Sequence, residues 1–214
     1  AAVDSPARLC WYAIKERQQE VLPPFYCVGR LKVQNSGSLW YNQVDKTNPE
    51  RYRNTMIRIL FVCHGNICRS PMAEFIFKDM AQKAGVANEF YIASAATSGE
   101  EIWGGVGNPV YPPAKRELAR HGISCGGKRA VRLKKDDYEK YDYIIGMDHE
   151  NMQNMLRLFG GDKQAKLFKL MRFAGSGKDV SDPWYTGDFS AAYSDIETGC
   201  KALFARLENK LKEK

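Results

Sequence analysis

The sequence predicts an α/β fold: a four-stranded, parallel, doubly wound sheet with helices on both faces. Two observations carry this. Beyond residue 56, four short apolar runs alternate with segments whose apolar residues recur at helical spacing. The first run passes into the first helical segment through "CHGNICRSP", whose glycine and asparagine suit tight backbone curvature.

Taken in order, "IRILFVC" (57–63) is a short run rich in β-formers and reads as a buried strand. "SPMAEFIFKDMAQKAG" (70–85) opens on Ser-Pro and closes on Gly, as a capped helix does. "FYIASAAT" (90–97) is the second strand, and "PPAKRELARHG" (112–122) a helix with Gly122 past its end. "YDYIIGMD" (141–148) is the third strand, followed by a helix over "HENMQNMLRLFG". "AKLFKLM" (165–171) is the fourth, and a long amphipathic helix runs from Ser190 to about Leu211.

Residues 1–55 show no sustained helical period and are rich in turn residues, which predicts a weakly ordered N-terminal extension with a short hairpin around 25–33. Met56 reads as a natural initiator methionine. The extension is then either a fused appendage or translated sequence upstream of the start, and 56–214 is the folded domain.

Composition narrows the function. A hydrophobic content of 44% with 27% charged residues is ordinary for a soluble globular protein. A net charge of +7 suits an anionic ligand but is too dispersed for a nucleic-acid partner. The one dense basic cluster, "GGKRAVRLKK" (126–135), reads as a solvated loop and helix face. Nothing is apolar for the roughly 18 residues a membrane span needs, and the amino terminus lacks the layout of a secretory signal. The cysteines at 10, 27, 63, 68, 125 and 200 form neither zinc knuckles nor a disulfide framework. A reducing, cytoplasmic setting follows, with no metal or organic cofactor.

The loop after the first strand carries the chemistry. It lies at the carboxyl edge of the sheet, where open α/β folds bind ligands. Cys63 is followed by His64, Gly65, Asn66, Ile67 and Cys68, then by Arg69 and Ser70. Curling such a loop turns its N–H groups inward and, with the positive end of the next helix, makes a nest for a tetrahedral oxyanion. Arg69 adds a planar fork for two oxygens. The same donors favour the Cys63 thiolate, and Ser70 donates to the sulfur. The fitting reaction is attack on phosphorus, giving a cysteinyl-phosphate that water hydrolyses. The leaving group needs a proton. Asp182, held extended by Pro183 in "VSDPWYTGDF" (180–189), supplies it, and Trp184 and Tyr185 give flat walls for an aryl group.

"VCHGNICRSP", with "DPW" about 120 residues later, resembles the low-molecular-weight protein tyrosine phosphatases over roughly 56–214. "SAATS", "ARHGI" and "YDYIIGMDHEN" also sit where that family has counterparts. The resemblance implies Cys63 as nucleophile, Arg69 as phosphate and transition-state ligand, Asp182 as acid and then base, and Ser70 as activator of the thiolate leaving group. It implies that Asn66 holds a strained loop braced by Ser94 and His121, although His121 reads equally as a helix-terminus residue before Gly122, and that Asp148 shapes the floor of the site or a helix start. Cys68 would form a reversible disulfide with Cys63, or be a small packing residue. Phosphotyrosine proteins are the implied partners, inorganic phosphate or vanadate the implied ligands, and a monomer or weak dimer the implied state. Two features depart from the pattern: His64 stands where many members carry an aliphatic residue, and Trp103 lies among glycines in a segment read as a mobile lip over the substrate ring.

Three rivals share parts of this pattern. Arsenate reductases on the same fold need two cysteines spaced seven apart, but Cys125 has Arg132 at that position and Cys200 lies on the last helix. Protein arginine phosphatases resemble this chain but tend to carry Thr where Ile67 stands and lack the aromatic pair after the acid. A phosphopeptide-binding module would be expected to have lost Cys63, Arg69 or Asp182. The pattern points to phosphotyrosine.

Overall fold

Strand β1 (Ile57–Cys63) lies inside the parallel sheet, paired along both of its edges. On one side it pairs in parallel with β2 (Phe90–Ala96), from Ile57 opposite Phe90 to Cys63 opposite Ala96. The hairpin strands β3 (Ile102–Trp103) and β4 (Val106–Gly107) come next in the chain. On its other side β1 pairs in parallel with β5 (Tyr143–Gly146), which pairs with β6 (Leu167–Lys169). The order β2-β1-β5-β6 with parallel pairing is the predicted sheet. The structure, a computed structural model, describes residues 56–212. The extension over 1–55 and its hairpin at 25–33 lie outside the described residues.

The side-chain alternation of β1 shows why helices are needed on both faces. Ile57, Ile59 and Phe61 point into a core shared with α1 (Arg69–Lys83), α2 (Pro112–Arg120) and α6 (Phe189–Lys212). Leu60 and Val62 point the other way and meet Tyr138 of α3 (Asp137–Lys140) and Met155 of α4 (His149–Phe159). Phe61 and Phe77 are fully buried and lie ring to ring at 6.0 Å. Each such side chain contributes about 1.5–3 kcal/mol by leaving water.

Three stretches differ from expectation. The fourth strand is shorter than 165–171, because Leu170–Arg172 turns as a 3₁₀ helix. The segment around Trp103 is a hairpin, with Gly104 and Gly105 at φ 56° and 81° as a tight two-residue turn between twisted strands requires. The basic stretch at 126–135 is the expected largely exposed loop, with Arg129, Arg132, Lys134 and Lys135 in solvent, but it forms no helix face. It bridges Ala96 and Pro109 through Arg132 and Arg129, and buries Ala130 and Leu133. Gly107 is needed where this stretch crosses the hairpin: a Cβ there would lie 1.9 Å from the Ala130 carbonyl oxygen.

Candidate active site

The loop between β1 and α1 is held from behind. The N–H groups of Thr97 and Ser98 donate to the carbonyls of Cys63 and His64, and the Tyr111 N–H to that of Ile67. Asn66 sits at φ 56°, a conformation that asparagine tolerates better than most residues. Gly65 does not share that conformation. Its lack of a side chain answers a close approach instead, since a Cβ would lie 3.0 Å from the Glu101 side chain.

This curvature brings the Asn66 N–H to 3.3 Å from Cys63 Sγ, while Ser70 Oγ lies 3.0 Å from the same sulfur. Asn66 Nδ2 donates to Ser70 Oγ at 2.9 Å, so the serine's own proton is free to point at the sulfur. The serine–sulfur contact is also shorter than its 3.5 Å alternative, the Ala95 carbonyl. A thiolate here therefore receives both a backbone and a hydroxyl donor.

Asn66 is fixed by more than the loop. Its Nδ2 also donates to Ser94 Oγ at 2.8 Å, and its Oδ1 accepts from the Val131 N–H at 2.9 Å. Ser94 Oγ donates onward to the buried carboxylate of Glu74 at 2.5 Å. Glu74 pairs with Lys78 and lies 3.3 Å from Lys128 Nζ, which donates to the Ser94 carbonyl at 3.0 Å. Burial pushes the Lys128 amine toward its neutral form, against the pull of Glu74. His121, expected in this bracing role, is elsewhere: it stacks on Tyr193 at 3.7 Å and sits 3.5 Å from Glu117. Lys128 instead supports the outer end of the Asn66–Ser94 chain, through Glu74 and the Ser94 carbonyl.

Arg69 is 3% exposed and held between two carboxylates, Asp148 at 2.6 Å and Asp182 at 2.5 Å. Burial works against its charge, but Cys63, Asp182 and Asp148 together outweigh that and raise its pKa. Asp148 also caps α4, accepting from the Asn151 N–H. Asp182 is extended, as expected before proline, and accepts from the Trp184 N–H at the start of α5 (Pro183–Thr186). Ile67 and Cys68, within the loop, are themselves buried. Burial, then the charges of Cys63 and Asp182, push the Cys68 thiol up to about 12.

The aromatic residues divide. Trp184 packs on Tyr111, a residue the sequence did not single out, with ring centroids 5.5 Å apart. Tyr185 is 86% exposed and Trp103, on the hairpin, 72%. His64 is half-exposed and bonded to Glu100 at 2.9 Å. Among the described residues no His, Cys, Asp or Glu cluster could hold a metal ion.

Comparison with known proteins agrees with this geometry. The family model for low molecular weight phosphotyrosine protein phosphatase matches residues 58–213. The low molecular weight protein-tyrosine-phosphatase YfkJ of Bacillus subtilis is 39% identical over 155 residues, covering 72% of this chain and 97% of that protein. Its crystal structure superposes with a TM-score of 0.68, covering 72% of this chain and 96% of that one. Low molecular weight phosphotyrosine protein phosphatase 1 of Drosophila melanogaster is 37% identical, covering 68% and 94%. A structure of the YwlE arginine phosphatase is more distant, at 28% identity and a TM-score of 0.60, covering 71% and 96%. The loop, its arginine and the paired carboxylates thus sit in a chain that belongs to the low molecular weight phosphotyrosine protein phosphatase family.

Proposed function

We propose that this chain hydrolyses phosphotyrosine in proteins through a cysteinyl-phosphate on Cys63. Its class, a hydrolase of phosphoric monoesters, follows from the family. One observation carries the residue roles: Cys63 Sγ, the Ser70 hydroxyl and the Arg69 fork converge on one loop, with Asp182 bonded to that fork.

The substrate phosphate enters over the sulfur and takes the Arg69 fork bidentately, displacing Asp182. Sulfur attacks phosphorus as the P–O bond to the tyrosine breaks, and Asp182 gives its proton to the departing phenol oxygen. Asp182, now a carboxylate, takes a proton from water as that water attacks the phosphocysteine. Ser70 donates to the sulfur as the S–P bond breaks, and phosphate leaves. Arg69 is charged throughout, so its attraction for the equatorial oxygens persists in the transition state. Trp184, braced by Tyr111, flanks the acid and favours an aryl leaving group over a guanidinium one. A reducing cytoplasm suits a mechanism that needs a free thiol. No helix among the described residues is long and apolar enough to cross a membrane.

The test is turnover of phosphotyrosine and phosphoarginine peptides by the reduced chain and by Cys63→Ser. Hydrolysis of the phosphotyrosine peptide that vanishes in the variant, with vanadate binding retained, is the expected result. Faster turnover of phosphoarginine would replace the proposed substrate.

A further inference from the structure

A cavity of about 490 Å³ opens beside the catalytic loop and is not used by the chemistry above. It reaches the loop at His64, the residue that follows the nucleophile, and extends to Arg132, Leu133, Glu150, Asn154 and Arg157. Its size lies in the range of ligand sites, and its lining is mostly polar and charged, with Leu133 and Leu158 its apolar members. We propose that this cavity binds an acidic segment of the substrate, next in sequence to its phosphotyrosine. The proposal rests on the phosphotyrosine reading of the site.

The argument is one of charge and anchorage. Neither Arg132 nor Arg157 has a carboxylate within ion-pair distance among the described residues. Among the described residues, the Arg157 guanidinium donates only to the Asn154 side chain, on the same helix. The backbone of Arg132 is fixed against the end of β2: the Ala96 N–H donates to the Val131 carbonyl and the Leu133 N–H to the Ala96 carbonyl. Its guanidinium lies over Gly99, where a Cβ would come within 3.3 Å of it. A planar fork placed in this way, with its backbone anchored and its guanidinium open to solvent, is suited to a carboxylate.

Glu150 faces the same cavity, while Glu100 is engaged with His64. Two guanidinium groups against Glu150 leave a positive surplus of one, and Glu150 adds an acceptor. A peptide can satisfy that mixture as a free anion cannot, its carboxylate meeting the arginines and its backbone N–H meeting Glu150. The buried Leu133 and the exposed Leu158 complete the lining. Reach is no obstacle. A peptide advances at most about 3.3–3.6 Å per residue, and the cavity begins one residue from Cys63.

The test uses the full reduced chain and three substrates: a phosphotyrosine peptide flanked by Asp and Glu, the same peptide flanked by Lys, and an aryl phosphate with no peptide. Wild type should favour the acidic over the basic peptide in kcat/KM by about tenfold, falling as salt is raised. In Arg132→Ala/Arg157→Ala the preference should vanish, while aryl phosphate turnover stays within about twofold. Arg132→Lys/Arg157→Lys should retain part of it, because charge is kept and the fork lost. Glu150→Gln should widen it. Equal use of both peptides by wild type, or a preference that survives the double alanine variant, overturns the proposal. Hydrolysis of none of the three by folded wild type would instead overturn the phosphatase reading beneath it.

Discussion

Asn66 Nδ2 donates to Ser94 Oγ across 2.8 Å, tying the one left-handed residue of the catalytic loop to the neighbouring strand. Because Ser94 in turn donates to Glu74, the position of a backbone N–H at the nucleophile is set from β1, β2 and α1 together. The loop is prepared before any phosphate arrives, which is what stabilisation of a developing charge requires.

Asn66→Ala should lose both the side-chain bonds and the tolerance for positive φ. We expect a loss of about 2–4 kcal/mol in urea unfolding and of about a hundredfold in kcat. Asn66→Gly separates the two contributions. It should recover about 1 kcal/mol of stability with no recovery of kcat. Recovery of rate by glycine would mean that backbone freedom, and not the side-chain bonds, sets the loop.

Glu74 and Lys128 form the outer end of this brace. Removing the acid leaves a lysine side chain only 12% exposed without its counter-charge, and Glu74→Gln should cost about 3–5 kcal/mol. Lys128→Met should cost less, since Glu74 keeps Lys78. A double-mutant cycle by chemical denaturation measures the coupling, and the double variant should lie above the sum of the singles. Strict additivity would show that the two residues do not act on one another.

The parts that could be read from sequence are those governed by local rules. β1 announces itself by an apolar run broken only at Arg58, as a strand covered on both faces does. Cys63, Arg69 and Asp182 stand out because each needs its residue type at a loop with its own punctuation. Lys128 could not be read this way. It lies in a basic cluster that by composition belongs in water, and only the fold shows it turned inward to Glu74. His121 misled for the converse reason: a histidine just before Gly122 fits a catalytic brace and a helix end equally, and stacking on Tyr193 decides for the helix. The hairpin at Trp103 was too short for its alternation to register.

Asp182→Asn is a clean test of the acid, because asparagine still caps α5 and the local structure survives. Hydrolysis of phenyl phosphate should fall by about 10²–10⁴, since the leaving oxygen then departs without a proton. An aryl phosphate whose phenol is strongly acidic should lose far less. Equal losses on the two substrates would remove Asp182 from the acid role and leave it as a partner of Arg69.

Cys68 gives the pH dependence its sign. Its folded thiol is raised from 9.0 to about 12, chiefly by burial and next by the Cys63 charge. The stability it contributes is therefore fully present below pH 9 and lost as pH rises through 12, a loss that Cys68→Ala should lessen. The same shift governs oxidation. If peroxide converts Cys63 to a sulfenic acid, closure to Cys68 forms the disulfide and releases water, and it needs the Cys68 thiolate. Sulfenic acid formation removes the Cys63 charge, but the larger effect of burial stays. Closure should thus be slow at pH 7 and quicken with each pH unit to pH 9, by up to about tenfold per unit. The measurement is the recovery of activity by reductant after a peroxide pulse quenched at each pH. Wild type should recover more fully the higher the pH of the pulse, and Cys68→Ala should recover little at any. A pH-independent recovery would show that Cys68 is not the resolving thiol, leaving it a packing residue of the loop.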